Sequence, residues 1–160
     1  MFQEILQGGS SGNDEVALKI TPMTGEYTGN CRAYASNYAS GYEGYRAFDG
    51  DSNTYCASSK RGDNSNILYY YFGKYGYVEN IRLLVRALGS ATSTTNLKVY
   101  LLNLLGEWEN VADFTYTGNN SSGNKSLTKN FARTNCIALR IDNLIASYYS
   151  CGILEVNVNV

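Results

Sequence analysis

The chain has 160 residues, with 13 Lys and Arg against 14 Asp and Glu, no His and a formal net charge of -1. A chain so close to neutral, with scattered basic residues, lacks the electrostatic footprint of a protein that binds nucleic acid or an anionic membrane. The absence of His removes the commonest general base and the commonest zinc ligand, while the length suits one domain with a hydrophobic core.

The first 29 residues predict an N-terminal arm or linker. A Gly- and Ser-rich run at 8–13 breaks any order that begins before it. Residues 16–20 alternate between apolar and polar and predict a short strand within this arm. Residues 1–12 lack the basic start and the apolar core of a secretion signal, so we expect no signal peptide in this chain.

From residue 30 onward the chain is a series of short alternating stretches separated by Gly, Ser and Asn. No stretch keeps a helical period for three turns, and none is long and apolar enough to span a membrane. We predict an all-β, jelly-roll sandwich of about eight strands over residues 30–160, with its chemistry on the loops. Because side chains alternate along a strand, the expected inward positions are Ile81, Leu83 and Val85, then Leu97, Val99 and Leu101, then Ile137, Leu139 and Ile141, and finally Leu154, Val156 and Val158.

Four cysteines raise the question of disulfides. Their even number invites that interpretation, their spacing matches no zinc pattern, and Cys136 in its alternating strand is typical of a buried free thiol. Whether the set is bridged or free stays open from the sequence; its members are Cys31, Cys56, Cys136 and Cys151.

The polar loop at 46–55 has the chemistry of a site for a hard cation. Asp49, Asp51 and Thr54 place two carboxylates and a hydroxyl within six residues, and Gly50 lets the backbone curl so that carbonyls turn inward. Calcium takes several oxygen ligands of these kinds. The same residues are also typical of any exposed turn, so the loop alone leaves both interpretations open.

Several weak motifs follow one another around this loop. They are Ala35-Ser36, the loop itself, Ile67 to Gly73, Val78 to Val85, Leu97 to Leu101, Gly106-Glu107-Trp108, Cys136 to Ile141 and Gly152 to Val156. Their order resembles the discoidin family, also called F5/8 type C domains, whose bacterial branch includes the galactose-binding-like family 32 carbohydrate-binding modules. The resemblance covers roughly residues 31–160 and implies a discoidin-like jelly-roll domain. Because such domains bring the first and last strands together, it makes Cys31 and Cys151 the first pair to test for a disulfide.

The resemblance implies a structural calcium ion that ties the loop to the last strand. Cys56 stands where the family usually has Trp, so the packing under the loop must differ. Every implied ligand position holds a residue able to play its part; these are the Arg46 carbonyl, Asp49, Asp51, Thr54 through hydroxyl and carbonyl, the Leu154 carbonyl and Glu155.

The resemblance also implies a sugar site at one end of the sandwich. Members of the family use an Arg at a strand end, an Asn further on and an aromatic residue before the final strand, and Arg86, Asn96 and either Tyr148 or Tyr149 look like those positions. Tyr42, in the first long loop, would form a rim of the same pocket. The alternative is a solvated charge for Arg86 and ordinary packing for the tyrosines.

These observations predict a non-catalytic, calcium-stabilised module that binds a cell-surface glycan, in a phage tail, a virion or a larger extracellular protein. Ala57 replaces a His usual in the family, which puts galactose-type specificity in doubt. Weak affinity per site predicts that it acts in several copies, as a homo-oligomer or in a larger assembly.

Three other function classes compete with glycan binding. A structural adaptor would use the same fold and its tyrosine-rich loops against another protein. Phospholipid binding needs protruding apolar spikes with basic neighbours, whereas these loops offer Tyr, Ser and Asn. An enzyme is disfavoured because no nucleophile is paired with a base.

Overall fold

The structure is a computed structural model that describes residues 16–58, 66–145 and 151–160. Within these ranges no helix is long and apolar enough to cross a membrane. The described elements are the strands β1 (Tyr27–Thr28), β2 (Cys31–Ala35), β3 (Asn66–Arg86), β4 (Ser93–Leu102), β5 (Trp108–Gly118), β6 (Asn124–Ile145) and β7 (Gly152–Val158), with one 3₁₀ helix at Gly44–Phe48.

Two long strands build both layers of the fold. β3 and β6 have 21 and 22 residues and pair antiparallel, with irregularities in the middle of β3. The first half of β3 and the second half of β6 belong to a front layer in the order β1-β2-β3-β6-β4-β5. The second half of β3 continues into a back layer, where it lies between β6 and β7. This arrangement confirms the predicted all-β, jelly-roll sandwich, with seven strands in the described residues.

The core follows the predicted alternation with one exception. The predicted inward positions on β3, β4 and β7 are all buried, as are Leu139 and Ile141 on β6. Ile137 is only half-buried, and its neighbours Cys136 and Ala138 are buried instead. The prediction for Ile137 is wrong because the pairing of β3 with β6 shifts register beside it, which resets the alternation.

The segment at 16–28, which the sequence assigned to the arm, lies against the sandwich. Leu18 and Met23 are buried in the core. Ala17 makes an isolated parallel bridge to Tyr77, and the Leu18 amide donates to the Tyr77 carbonyl at 3.0 Å. These residues therefore seal one edge of the core before β1 begins.

All four cysteines are buried free thiols. The Cys31 thiol lies 3.4 Å from the Phe72 carbonyl, whereas Cys151 lies beside Asn143, whose partner on β3 is Asn66. Six residues of extended strand separate these two positions on β3, a length on the order of 20 Å that no disulfide can bridge.

Candidate functional site

One end of the sandwich collects the connections between its later strands. Arg86, the last residue of β3, pairs with Asn124 at the start of β6 and with Gly152 at the start of β7. In the front layer, Ser93 at the start of β4 pairs with Gly118 at the end of β5. The β3–β4 and β5–β6 connections lie at this end, which is also where β6 ends and β7 begins.

Three side chains meet at this end, and we call Tyr42, Tyr55 and Arg86 the end cluster. The ring centres of Tyr42 and Tyr55 are 4.8 Å apart with a tilt of 33°. The guanidinium carbon of Arg86 lies 5.7 Å from the centre of the Tyr55 ring, a distance at which a cation and an aromatic face attract. Two predicted site residues, Arg86 and Tyr42, therefore both contact Tyr55. The sequence analysis includes Tyr55 only in the cation loop.

The end cluster keeps the hydroxyl of Tyr55 protonated at neutral pH. Burial raises the pKa of Tyr55, and its hydrogen bond and charge interaction with Tyr42 raise it further, whereas the charge of Arg86 acts in the opposite direction. The net direction is upward from an ordinary value near 10.0. The hydroxyl can therefore both donate to and accept from a polar ligand.

Gly152 makes room for the Tyr55 ring. A Cβ at this position would lie 2.8 Å from Tyr55 Cδ2 and 3.2 Å from Leu88 Cδ2. Next to it, the backbones of Cys56 and Ile153 exchange two hydrogen bonds of 2.9 and 3.0 Å. Tyr55 is therefore fixed at the edge of β7, over a glycine that lets its ring approach the backbone.

Buried polar side chains hold the chain segments beneath the end cluster. Asn66 Nδ2 donates to the Asn37 carbonyl at 3.2 Å, and Asn143 Nδ2 donates to the Cys151 carbonyl at 3.1 Å. The Cys151 amide in turn donates to Thr95 Oγ1 at 3.1 Å. We call Asn66, Thr95 and Asn143 the polar floor. The sequence analysis does not identify it, although polar residues at inward positions of otherwise apolar strands are a usable signal.

The predicted sugar contact Asn96 does not join this cluster. Asn96 lies on the outer face of β4, where its Oδ1 accepts a hydrogen bond from the Thr115 hydroxyl at 3.0 Å. The inward neighbour Thr95 contributes to the polar floor instead. The predicted aromatic residue, Tyr148 or Tyr149, lies outside the described residues.

The predicted cation loop is closed by its own side chains. Asp49 Oδ1 accepts from the Asp51 amide at 2.9 Å, and Asp49 Oδ2 accepts from the Thr54 hydroxyl at 2.6 Å. Asp51 Oδ1 accepts from the Asn53 amide at 2.9 Å. Gly50 has a φ of 76°, which a residue with a Cβ rarely adopts. The turn therefore gathers carboxylate and hydroxyl oxygens within a few residues.

The last strand lies next to this loop. Glu155 lines a small cavity of about 40 Å³ together with Phe48 and Gly50. In the described part of the chain, its half-buried carboxylate has no hydrogen bond and no ion pair. The neighbouring implied ligand Leu154 is buried, and the side chain of Arg46 pairs with Glu43.

The carboxylate, hydroxyl and carbonyl oxygens of the loop and of Glu155 are of the chemical types that bind a hard cation. The described residues contain no group of three or more Cys, Asp or Glu side chains placed to hold a metal. Carbonyl and hydroxyl oxygens from the loop would therefore have to complete a coordination shell with Asp49 and Glu155, and calcium accepts such mixed oxygen ligands.

Comparison with known proteins gives matches at the level of structure. No protein-family model matches the chain, and no curated protein matches it. The family 32 carbohydrate-binding module of C. perfringens NanJ, solved with galactose, has 22% identity and a TM-score of 0.65 over 89% of this chain and 98% of that one. Chitosan-binding module 1 of a chitosanase/glucanase from Paenibacillus sp. IK-5 has 26% identity and a TM-score of 0.61 over 82% and 96%.

A further match places the same fold within a larger protein. A GH29 fucosidase from Ruminococcus gnavus, solved with fucose, has 17% identity and a TM-score of 0.62 over 83% of this chain but only 26% of that one. Together these matches show that the chain has the galactose-binding-like fold of the family 32 modules. The resemblance drawn from the order of the motifs is confirmed at that level.

Proposed function

We propose that the protein is a non-catalytic module that binds carbohydrate through the end cluster. The observation that carries this proposal is the meeting of Tyr42, Tyr55 and Arg86 at the end of the sandwich that bears the loops. A tyrosine ring offers an apolar face to the C–H groups of a pyranose, and a guanidinium donates several hydrogen bonds to its hydroxyls. The matched NanJ module was solved with galactose, and the matched Paenibacillus module is a chitosan-binding module, which supports the same class of ligand here.

The polar floor adds to this proposal, because a weak ligand is best bound by a site that is already ordered. Asn66 and Asn143 fix the chain on either side of the cluster with hydrogen bonds to backbone carbonyls. Side chains held in this way lose little freedom when a ligand binds. This arrangement favours glycan binding over the structural adaptor, which would use the same tyrosines within a subunit contact.

A glycan array tests the proposal directly. A multimerised form of the protein should bind at least one class of immobilised glycan, because avidity compensates for weak single sites. Arg86→Ala should abolish that binding. Arg82→Ala is the matched control, since Arg82 lies on the same strand but is exposed on the back layer. Failure of the multimer to bind any glycan, in repeated preparations, would overturn the proposal.

We further propose that a structural calcium ion joins the loop to β7. Support comes from the grouped oxygens of the loop and from Glu155 beside it, whose carboxylate has no partner among the described residues. Bound calcium would neutralise these carboxylates and pin the last strand to the loop. The proposed ligands are the Arg46 carbonyl, Asp49, Asp51, Thr54 through hydroxyl and carbonyl, the Leu154 carbonyl and Glu155.

Thermal unfolding with calcium or with a chelator tests this ion. A ligand at a hundred times its dissociation constant stabilises the folded state by about 2.7 kcal/mol, so calcium should raise the melting temperature of the native protein. Glu155→Gln should remove the calcium effect while leaving the loop's own hydrogen bonds intact. Asp113→Asn, on β5, should retain it. Equal melting curves of the native protein with and without calcium would contradict the proposal.

We propose an extracellular or virion-associated setting, as part of a phage tail or of a larger extracellular protein. The R. gnavus fucosidase supports the latter arrangement, because the matched fold forms about a quarter of that chain. In either setting several copies would act together on one glycan-bearing surface.

A further inference from the structure

The outer face of the front layer carries a row of aromatic and arginine side chains that the end cluster does not use. We call six of them the face ladder, and they come from five different strands. They are Arg32 and Tyr34 on β2, Tyr69 on β3, Arg140 on β6, Tyr100 on β4 and Trp108 on β5.

Ring and guanidinium planes meet along the whole row. The Arg32 guanidinium carbon is 4.2 Å from the Tyr34 ring centre, and Tyr34 stacks on Tyr69 at 4.9 Å with planes 18° apart. At the other end, the guanidinium carbon of Arg140 is 4.1 Å from the ring centre of Tyr100 and 5.2 Å from that of Trp108. Each contact restricts the side chains next to it, so a ligand has less freedom to remove from the row when it binds.

Trp108 leans across the sheet to close the row. β5 and β3 are three strand spacings apart, about 14 Å, yet the ring centres of Trp108 and Tyr69 are only 6.0 Å apart with planes at 62°. Of the two strands between them, β6 carries the small Ala138, paired with Tyr71 on β3 and with Leu102 on β4. Trp108 is only partly buried, so part of its indole stays accessible to a ligand.

The charges of the row are already balanced. Arg32 pairs with Glu26 and Arg140 pairs with Asp142, both at 2.8 Å. Lys98, on the same outer face of β4, has Asp142 as its strand partner on one side and Asp113 on the other, so three acidic side chains stand against three basic ones. The face therefore offers hydrogen-bond donors and aromatic surface without net charge, which suits an uncharged, hydroxyl-rich ligand better than an anionic one.

We propose that the face ladder is a second carbohydrate-binding site, which takes an extended, uncharged glycan chain. The ring centres of Tyr34, Tyr69 and Trp108 follow one another at 4.9 and 6.0 Å, so the row is longer than a single sugar ring and suits a chain of more than one sugar. The accessible part of the indole stacks on pyranose C–H groups, while tyrosine hydroxyls and guanidinium edges meet the hydroxyls along the chain. The site does not depend on the end cluster, which lies on loops at the end of the sandwich.

Trp108 gives this site its own spectroscopic signal, because it is the only tryptophan of the chain. Native protein is titrated with soluble galactan, xyloglucan and mixed-linkage β-glucan while its emission is recorded, and the same polymers are cast into native gels to measure retardation. At least one polymer should shift the Trp108 emission and retard the protein. Monosaccharides bound by the end cluster should leave the emission unchanged.

Variants separate the two sites. Tyr69→Ala should weaken polymer binding about tenfold or more, the effect of removing one well-packed aromatic anchor, and Arg86→Ala should leave the Trp108 response intact. Tyr77→Ala is the matched control for Tyr69, since Tyr77 lies outside the row but also carries a guanidinium over its ring, that of Arg133 at 3.8 Å.

Three outcomes would contradict the proposal that the face ladder binds glycan, and each gives a different result with the variants. Polymer retardation that is lost with Arg86→Ala but kept with Tyr69→Ala would assign all glycan binding to the end cluster. Sedimentation that shows self-association abolished by Tyr69→Ala would make the face ladder a contact between copies of this chain. The absence of both retardation and emission change across the three polymers would remove the face ladder as a glycan site, whatever the end cluster binds.

Discussion

The end cluster and the face ladder use the same kinds of side chain but are held in place by different parts of the fold. Tyr42 and Tyr55 come from loops, and only Arg86 belongs to a strand. In the face ladder every member lies on a strand, and Tyr34, Tyr69, Arg140 and Tyr100 are direct partners in register. One group therefore depends on loop packing, whereas the other depends only on strand pairing.

This difference teaches where each group is sensitive to change. The end cluster lies over buried polar groups and a glycine contact, so small changes beneath it should move its rings. The face ladder lies over an apolar core and should tolerate single substitutions without loss of the fold. Four experiments test this contrast, beginning with the largest expected effect.

Tyr70→Ala should destabilise the protein most. Tyr70 follows the face-ladder residue Tyr69 on β3 but faces inward, where it is fully buried and packs on Phe48 and Phe72 at 4.9 and 5.0 Å. Loss of a buried aromatic ring costs about 3 to 5 kcal/mol. The adjacent Tyr69→Ala, on the outer face, should cost less than about 1 kcal/mol. Urea denaturation measures both, and equal losses would mean that the face ladder is part of the core.

Raising the pH should weaken the fold through its buried thiols. Burial raises the pKa of Cys56, Cys136 and Cys151 to about 12 from an ordinary value of 9.0. The unfolded chain therefore releases these protons first, so stability is complete below pH 9 and falls as the pH rises toward 12. At pH 10 each thiol should cost about 1 kcal/mol.

Urea denaturation at pH 8 and pH 10 measures this loss. Cys151→Ala, under the end cluster, should reduce the difference between the two pH values by at most about one third, as should Cys136→Ala, which lies away from that end. The share is below one third because burial also raises the pKa of Tyr55 and Tyr70, which adds to the same loss. A pH dependence unchanged in both variants would mean that the thiols are not the groups that titrate.

Gly152→Ala should disturb the end cluster and spare the face ladder. The added Cβ would lie 2.8 Å from a carbon of the Tyr55 ring, so the ring has to move. Displacement of a packed side chain of this kind costs about 1 to 2 kcal/mol. Glycan binding on the array should fall, and the Trp108 emission should stay as in the native protein. Gly25→Ala is the control, because a Cβ there would meet nothing within 4 Å.

The sequence could predict the fold because two of its signals do not depend on how distant strands pair. Alternation can be read within a single strand, and the motifs can be compared by their order along the chain. Leu97, Val99 and Leu101 are inward as expected, since one regular strand carries them all. Ile137 could not be placed, because the register shift beside it depends on how β3 and β6 pair across a long separation. The alternation also puts Tyr69 and Tyr71 on one face, although the identity of their neighbours on β2 and β6 needs the pairing itself.

The candidate site was less predictable because it depends on loops. Arg86 is at a strand end, as expected, and Tyr42 reaches it only through Tyr55. No spacing in the sequence indicates that the loops before and after the 3₁₀ helix return to the same end. Asn96 was expected at the pocket, but its side chain lies on the outer sheet face beside Thr115 because alternation turns Thr95 inward.

Glu43→Gln should give the smallest loss of stability of the four experiments. It tests whether the loop that carries Tyr42 positions that residue in the end cluster. Glu43 accepts from the Gly41 amide at 3.0 Å and from Arg46 Nε at 2.7 Å. The hydrogen bond from Arg46 is the main reason that the pKa of Glu43 lies below its ordinary value. Its stabilising effect is therefore present above that ordinary value and is lost as the pH falls through the lowered one.

At pH 7 this substitution should cost at most about 1 kcal/mol, because both partners are partly exposed and solvent screens the pair. At pH 3 the difference from native protein should shrink. Glu26→Gln, which alters the more exposed pair at the edge of the face ladder, should leave stability unchanged. If Glu43→Gln weakens glycan binding while Glu26→Gln does not, the loop's own anchoring positions Tyr42; if neither changes it, Tyr42 is positioned by its contact with Tyr55 alone.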